Sequence, residues 1–99
     1  MPRIQGLAES GIKTADTLIK SAPGYVFSLT LAYSGVTAGE RCTLIDGLTD
    51  AGDDEVPIIF PAANGVLQLN WAQGKQFDTG IFFNKGASAG SVFFECTYK

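Results

Sequence analysis

From Gly24 onward, short apolar runs alternate with clusters of Gly, Asn, Asp, Ser and Thr at intervals of roughly ten to fifteen residues, a rhythm that fits β-sandwiches and barrels. The clearest strand spans residues 25–33, where Tyr25, Phe27, Leu29, Leu31 and Tyr33 are predicted to share one face and Ser28, Thr30 and Ala32 the other. Cys42 and Leu44 continue the alternation around Arg41 and Thr43. Val56, Ile58 and Phe60 form a third run, and the prolines at 57 and 61 assign it to a sheet edge or a bulge, because proline cannot donate to a ladder. Residues 66–71, 81–84 and 92–98 complete the series. Ser34-Gly35, Asp46-Gly47, Asn64-Gly65, Gly74 and the small-residue stretch 86–90 supply the turns. The expected fold is all-β: a single small antiparallel β-sandwich, jelly-roll or immunoglobulin-like, since seven or eight short strands can be connected either way.

The first twenty residues follow neither a helical nor a strand period. Gly6 and Gly11 oppose a helix, so residues 1–20 read as an N-terminal arm or an added strand ahead of a sandwich domain over 21–99.

Several strands are apolar on both faces. In Ile58-Ile59-Phe60, Ile81-Phe82-Phe83 and Val92-Phe93-Phe94, the pleat sends neighbours to opposite sides. Ile59, Phe82 and Phe93 are therefore expected opposite the principal core, as a shared patch covered by the arm or by another chain, since monomers rarely expose large contiguous apolar areas. With Ile4, Leu7 and Ile12 of the arm they make up the candidate protein-interface residues.

The chain has 99 residues, 45% hydrophobic and 17% charged, which suits one folded domain with a modest core. Seven Lys and Arg against ten Asp and Glu leave a net charge of -3, which opposes nucleic-acid binding. The N-terminus lacks a continuous apolar signal core, and no window of about eighteen apolar residues occurs, so a cytosolic origin and no membrane span are expected. Without histidine the commonest general base and transition-metal ligand are both missing. Cys42 and Cys96 lack metal or redox spacing and are expected buried and unpaired.

Residues 46–55 gather five carboxylates, Asp46, Asp50, Asp53, Asp54 and Glu55, without the EF-hand offsets; an exposed loop requiring no metal is expected. The glycine stretches lack the Gly-Lys-Ser/Thr ending of a phosphate cradle. No catalytic residue, metal or cofactor is assigned. Trp71 with Tyr25, Tyr33 and Tyr98 raises a second reading, a carbohydrate-binding or host-attachment module, although strand parity places Tyr25, Tyr33 and Trp71 in the core. A hydrolase built on carboxylates ranks third.

Three segments carry a family resemblance. Ala22-Pro23-Gly24-Tyr25-Val26-Phe27-Ser28-Leu29-Thr30-Leu31, Thr43-Leu44-Ile45-Asp46-Gly47, and Phe77-Asp78-Thr79-Gly80-Ile81-Phe82, with a last strand ending Tyr98-Lys99, resemble the small β-sandwich decoration (cement or head-fibre) proteins of tailed bacteriophage capsids. The resemblance implies a non-enzymatic virion protein, made in the bacterial host cytoplasm, that docks late on the capsid surface. Its implied partner is the major capsid protein, and it implies a homo-oligomer, a trimer among the forms expected.

Overall fold

The computed structural model describes residues 7–99, and these form eight strands. They are β1 (Ala8–Glu9), β2 (Thr17–Lys20), β3 (Gly24–Ser34), β4 (Arg41–Asp46), β5 (Asp53–Ile59), β6 (Gly65–Phe77), β7 (Ile81–Asn84) and β8 (Ser91–Tyr98). Two four-stranded sheets result, sheet A in the order β1-β8-β3-β6 and sheet B in the order β2-β7-β4-β5. Every pairing is antiparallel. That interleaved order is the eight-stranded jelly roll, which decides between the two sandwich topologies. No helix long and apolar enough to cross a membrane occurs among the described residues.

The interior forms where strand alternation turns apolar residues inward from both sheets. Leu29, Leu31, Val92 and Phe94 of sheet A meet Leu44, Ile58, Ile81 and Phe83 of sheet B, and Phe60 and Phe77 close the ends of β5 and β6. Pro57 sits on β5, the edge strand of sheet B, where its missing N–H leaves no gap in an interior ladder. Residues 7–20 are divided between the sheets. β1 pairs with β8 at the edge of sheet A, and β2 pairs with β7 at the edge of sheet B. Residues 10–16 cross between them, with Ser10 and Lys13 hydrogen-bonded to Cys96 and Phe94.

β3 departs from simple alternation. Val26 pairs with Tyr98 and Ser28 with Thr97, so Phe27 is an extra residue against β8, a β-bulge. Beyond it the face reverses: Val26 is 0% exposed and Tyr25 43%. Tyr25 therefore does not join Leu29, Leu31 and Tyr33 in the core as period-two reading required. On the other side Val26 pairs with Lys75 and Ser28 with Asn70, so residues 71–74 of β6 bow out of the ladder. Gly74, at φ +87°, permits this, and its bare Cα lets the Phe27 ring close over it: a Cβ there would lie 3.1 Å from Phe27 Cζ.

The acidic stretch is a hairpin and only partly a loop. Asp46 ends β4, and Asp53, Asp54 and Glu55 begin β5, leaving Asp50 alone in the connection over 47–52. That connection folds back over the outer face of sheet B. Gly52 lies so close to Ile45 that an added Cβ would come within 2.8 Å of Cγ2, and Ile45 is fully buried although it points away from the main core. Asp46 accepts backbone N–H bonds from Asp78 (2.9 Å), Thr79 (2.7 Å) and Gly80 (3.4 Å), tying this hairpin to the β6–β7 turn. Burial acts to raise the Asp46 pKa, but the three donors outweigh it and hold the carboxyl below its usual 3.8.

Candidate interaction surface

Three connections, β3–β4, β5–β6 and β7–β8, meet at one end of the sandwich. Their segments 35–39, 61–64 and 86–90 consist of Gly, Ala, Ser, Thr, Val, Pro and Asn, with no charged side chain. They are cross-tied. Gly35 N–H donates to Asn64 Oδ1 at 3.0 Å and Val36 N–H to the Ala63 carbonyl at 3.1 Å. Thr37 N–H donates to Ser88 Oγ at 2.9 Å, and Ser88 is buried beneath the platform. Gly90, at φ +96°, passes so near Gly35 that a Cβ would fall 2.5 Å from its carbonyl carbon. The result is a cross-tied platform of small uncharged residues, with Glu40 and Lys85 of the same connections at its margin.

An apolar row borders the platform on the outer face of sheet A. Ala32 of β3 is opposite Phe93 of β8 on one side and Val66 of β6 on the other. Ile12, from the crossing segment, extends the row, sharing with Phe93 and Ala32 a shallow hollow of about 180 Å³. Ile12 is 66% exposed, Val66 67% and Phe93 46%. The next rows along the sheet, Glu95-Thr30-Gln68 and Thr97-Ser28-Asn70, are polar.

The expected interface residues do not form one patch. Phe93 and Ile12 lie together on sheet A, whereas Ile59 and Phe82 belong to the outer face of sheet B. Ile59, 62% exposed, pairs with Arg41. Phe82, half-buried, pairs with Ile45 and Leu18. Arg41 and Ile45 are four residues apart on one strand, roughly 13 Å at strand rise, so even these two are not neighbours. Leu7 is half-buried against the other end of sheet A, and Ile4 lies outside the described residues. Val66, absent from the expected set, could have been found from the Asn64-Gly65 turn signal, which fixes the start of β6.

Of the aromatic residues considered for carbohydrate, Tyr33 is core, Tyr98 and Trp71 are partly buried and pack against the core, and Trp71 also lines an open cavity, as does the exposed Tyr25. Cys42 and Cys96 are free and buried. Burial pushes Cys42 up to about 12 against a smaller opposing backbone hydrogen bond. Burial likewise pushes Cys96 up to about 11, opposed by a hydrogen bond from Ser10 and aided by the Glu95 charge. Neither thiol is a thiolate nucleophile at neutral pH. Among the described residues no group of three or more Cys, Asp or Glu converges as a metal site. Comparison with protein-family models, curated proteins and solved structures returned no match.

Proposed function

We propose that this chain is a structural virion protein, a capsid decoration protein that seats its loop platform and adjoining apolar row on the outer surface of a phage head. The reading rests on one observation: a hydrogen-bonded platform of small uncharged residues continuous with Ile12, Phe93 and Val66. Small neutral residues cost little to desolvate, and an ordered backbone loses little entropy on docking. Viral capsid domains are among the known users of the jelly roll, although topology alone does not choose among its users.

Magnitude bears on the mode of binding. Covering the exposed parts of three such side chains yields about 4 kcal/mol, no more than the cost of association itself. One copy therefore attaches weakly, and a symmetric oligomer engaging several lattice sites is needed for firm seating. Because the chain binds the assembled surface and not loose subunits, occupancy shifts the assembly equilibrium toward the shell.

The test is co-sedimentation with shells assembled from the major capsid protein of the same genome, with the oligomer measured by analytical ultracentrifugation. Binding that saturates at a fixed ratio to the lattice, and its loss in a Val66→Ser/Phe93→Ser variant with an unchanged circular dichroism spectrum, is expected. No co-sedimentation by the wild-type chain overturns the reading.

A further inference from the structure

The opposite end of sheet A has a different chemistry. Two open cavities, of about 710 and 450 Å³, meet at Phe27 and Lys99, where the bulges of β3 and β6 reshape the outer face. The bulge in β3 turns Tyr25 outward, 6.5 Å from the Phe27 ring between centroids. The excursion of β6 brings Trp71 to the larger cavity. Between and beside these rings stand exposed amides, Asn70 and Gln73, and the hydroxyl pair Ser28 and Thr97, 2.7 Å apart.

Charge narrows the ligand. The chain is net acidic, yet among the described residues the charged side chains lining the two cavities are Lys20 and Lys99, with the Lys99 main-chain oxygen standing beside Lys20 at Gly24. Lys20 reaches the cavity because Gly24 has no side chain: its Nζ lies 3.1 Å from where a Cβ would stand. Glu9, paired with Thr97, borders the larger cavity, so the cationic end of the groove is the smaller cavity at Lys20, where the Asp78 carboxylate accepts from the Gln76 amide at 3.0 Å. Neither lysine takes part in an ion pair among the described residues. Two cations fall short of what a nucleic-acid backbone requires, since affinity there grows with each phosphate neutralised.

We propose that this groove binds an oligosaccharide bearing carboxylates, with sugar rings lying on Tyr25 and Trp71, ring hydroxyls meeting Asn70, Gln73 and the Ser28–Thr97 pair, and a carboxylate at Lys20. A largely apolar concavity with a few placed polar groups is the usual form of a small-ligand site. The groove lies on the same face of sheet A as the apolar row but at the end away from the loop platform, with the polar row Glu95-Thr30-Gln68 between them. The site does not depend on what the platform binds.

Trp71 is the sole tryptophan and reports on the groove directly. The experiment titrates the full chain with oligogalacturonate and oligosialic acid, following indole emission, with a carboxyl-reduced oligosaccharide and oligo-dT alongside. Emission should change with an acidic saccharide, weaken with added salt, and respond little to the neutral one. Lys20→Met should weaken binding about tenfold, the loss of one charge-assisted contact. Tyr25→Ser, at an exposed ring, should weaken it without moving the melting temperature, which separates loss of a contact from loss of the fold. Val66→Ser/Phe93→Ser should bind normally, so failure of the docking surface and failure of the groove are distinguishable. No response to either acidic saccharide, equal response to the neutral one, tighter binding of oligo-dT, or indifference to both groove variants would each overturn the proposal.

Discussion

Phe83 of β7 and Phe94 of β8 stack across the interior, ring centroids 4.3 Å apart and planes 10° from parallel. Their strands are consecutive in sequence but belong to opposite sheets, so the pair fastens one sheet to the other. Phe94→Ala should cost about 3–5 kcal/mol in urea unfolding, the usual loss for a large buried ring. Phe93→Ala, one residue away on the outer face, should cost less than about 1 kcal/mol. Comparable losses at both positions would mean that the face assignment of β8 is wrong.

Asp46 should give the fold an acid-sensitive component. Its folded pKa is depressed, so its stabilisation is complete above the unfolded value of 3.8 and is lost as pH falls through the lower folded value. Asp46→Asn should cost about 1 kcal/mol at neutral pH, since an amide oxygen replaces a charged acceptor. It should also flatten stability against pH below 3.8. An unchanged acid limb in the variant would exclude Asp46 as its source.

The two thiols predict an alkaline effect of opposite sign. Both folded pKa values, about 12 and about 11, exceed the unfolded 9.0, so stability is intact below pH 9.0 and declines above it as the unfolded chain ionises. Melting temperatures from pH 8 to 10.5 should fall less for Cys42→Ala/Cys96→Ala than for the wild type. Native protein should resist thiol labelling until denaturant is added, and rapid native labelling would contradict the burial.

Gly90→Ala tests the loop platform. The new methyl would strike the Gly35 backbone at 2.5 Å and hold a side chain at φ +96°, a strain of about 2 kcal/mol. Amide hydrogen exchange should quicken at Gly35, Val36 and Thr37, and shell binding should fall. Unaltered exchange at these three amides would show that the loops are not mechanically joined.

Strand parity was readable wherever it depends on neighbours in sequence. Leu29 and Leu31 point in, as do Ile58 and Phe60, while Ile59 and Phe93 point out. Tyr25 and Phe27 were misassigned because the bulge at Phe27 arises from the registers of β3 with β8 and β6, strands more than forty residues away. The same distance hid the separation of Phe82 from Phe93: parity says that a ring faces outward but not from which sheet. Topology was open for a related reason, since each strand pattern is compatible with several partners. Asp46 looked like one of five solvated carboxylates, and only the β6–β7 turn arriving beside it gives it three donors. The platform was least visible, because its turns were foreseen singly while their convergence follows from the jelly-roll connections.

The excursion of β6 at residues 71–74 has a consequence for crowded conditions. β6 is the long edge strand of sheet A, and an uninterrupted edge of thirteen residues would offer a template on which another chain could polymerise as an added strand. The bend leaves only residues 65–70 and a short tail in regular register with β3, too little for a long intermolecular ladder. Copies held side by side at high local concentration would therefore resist fusing through this edge into an aggregate.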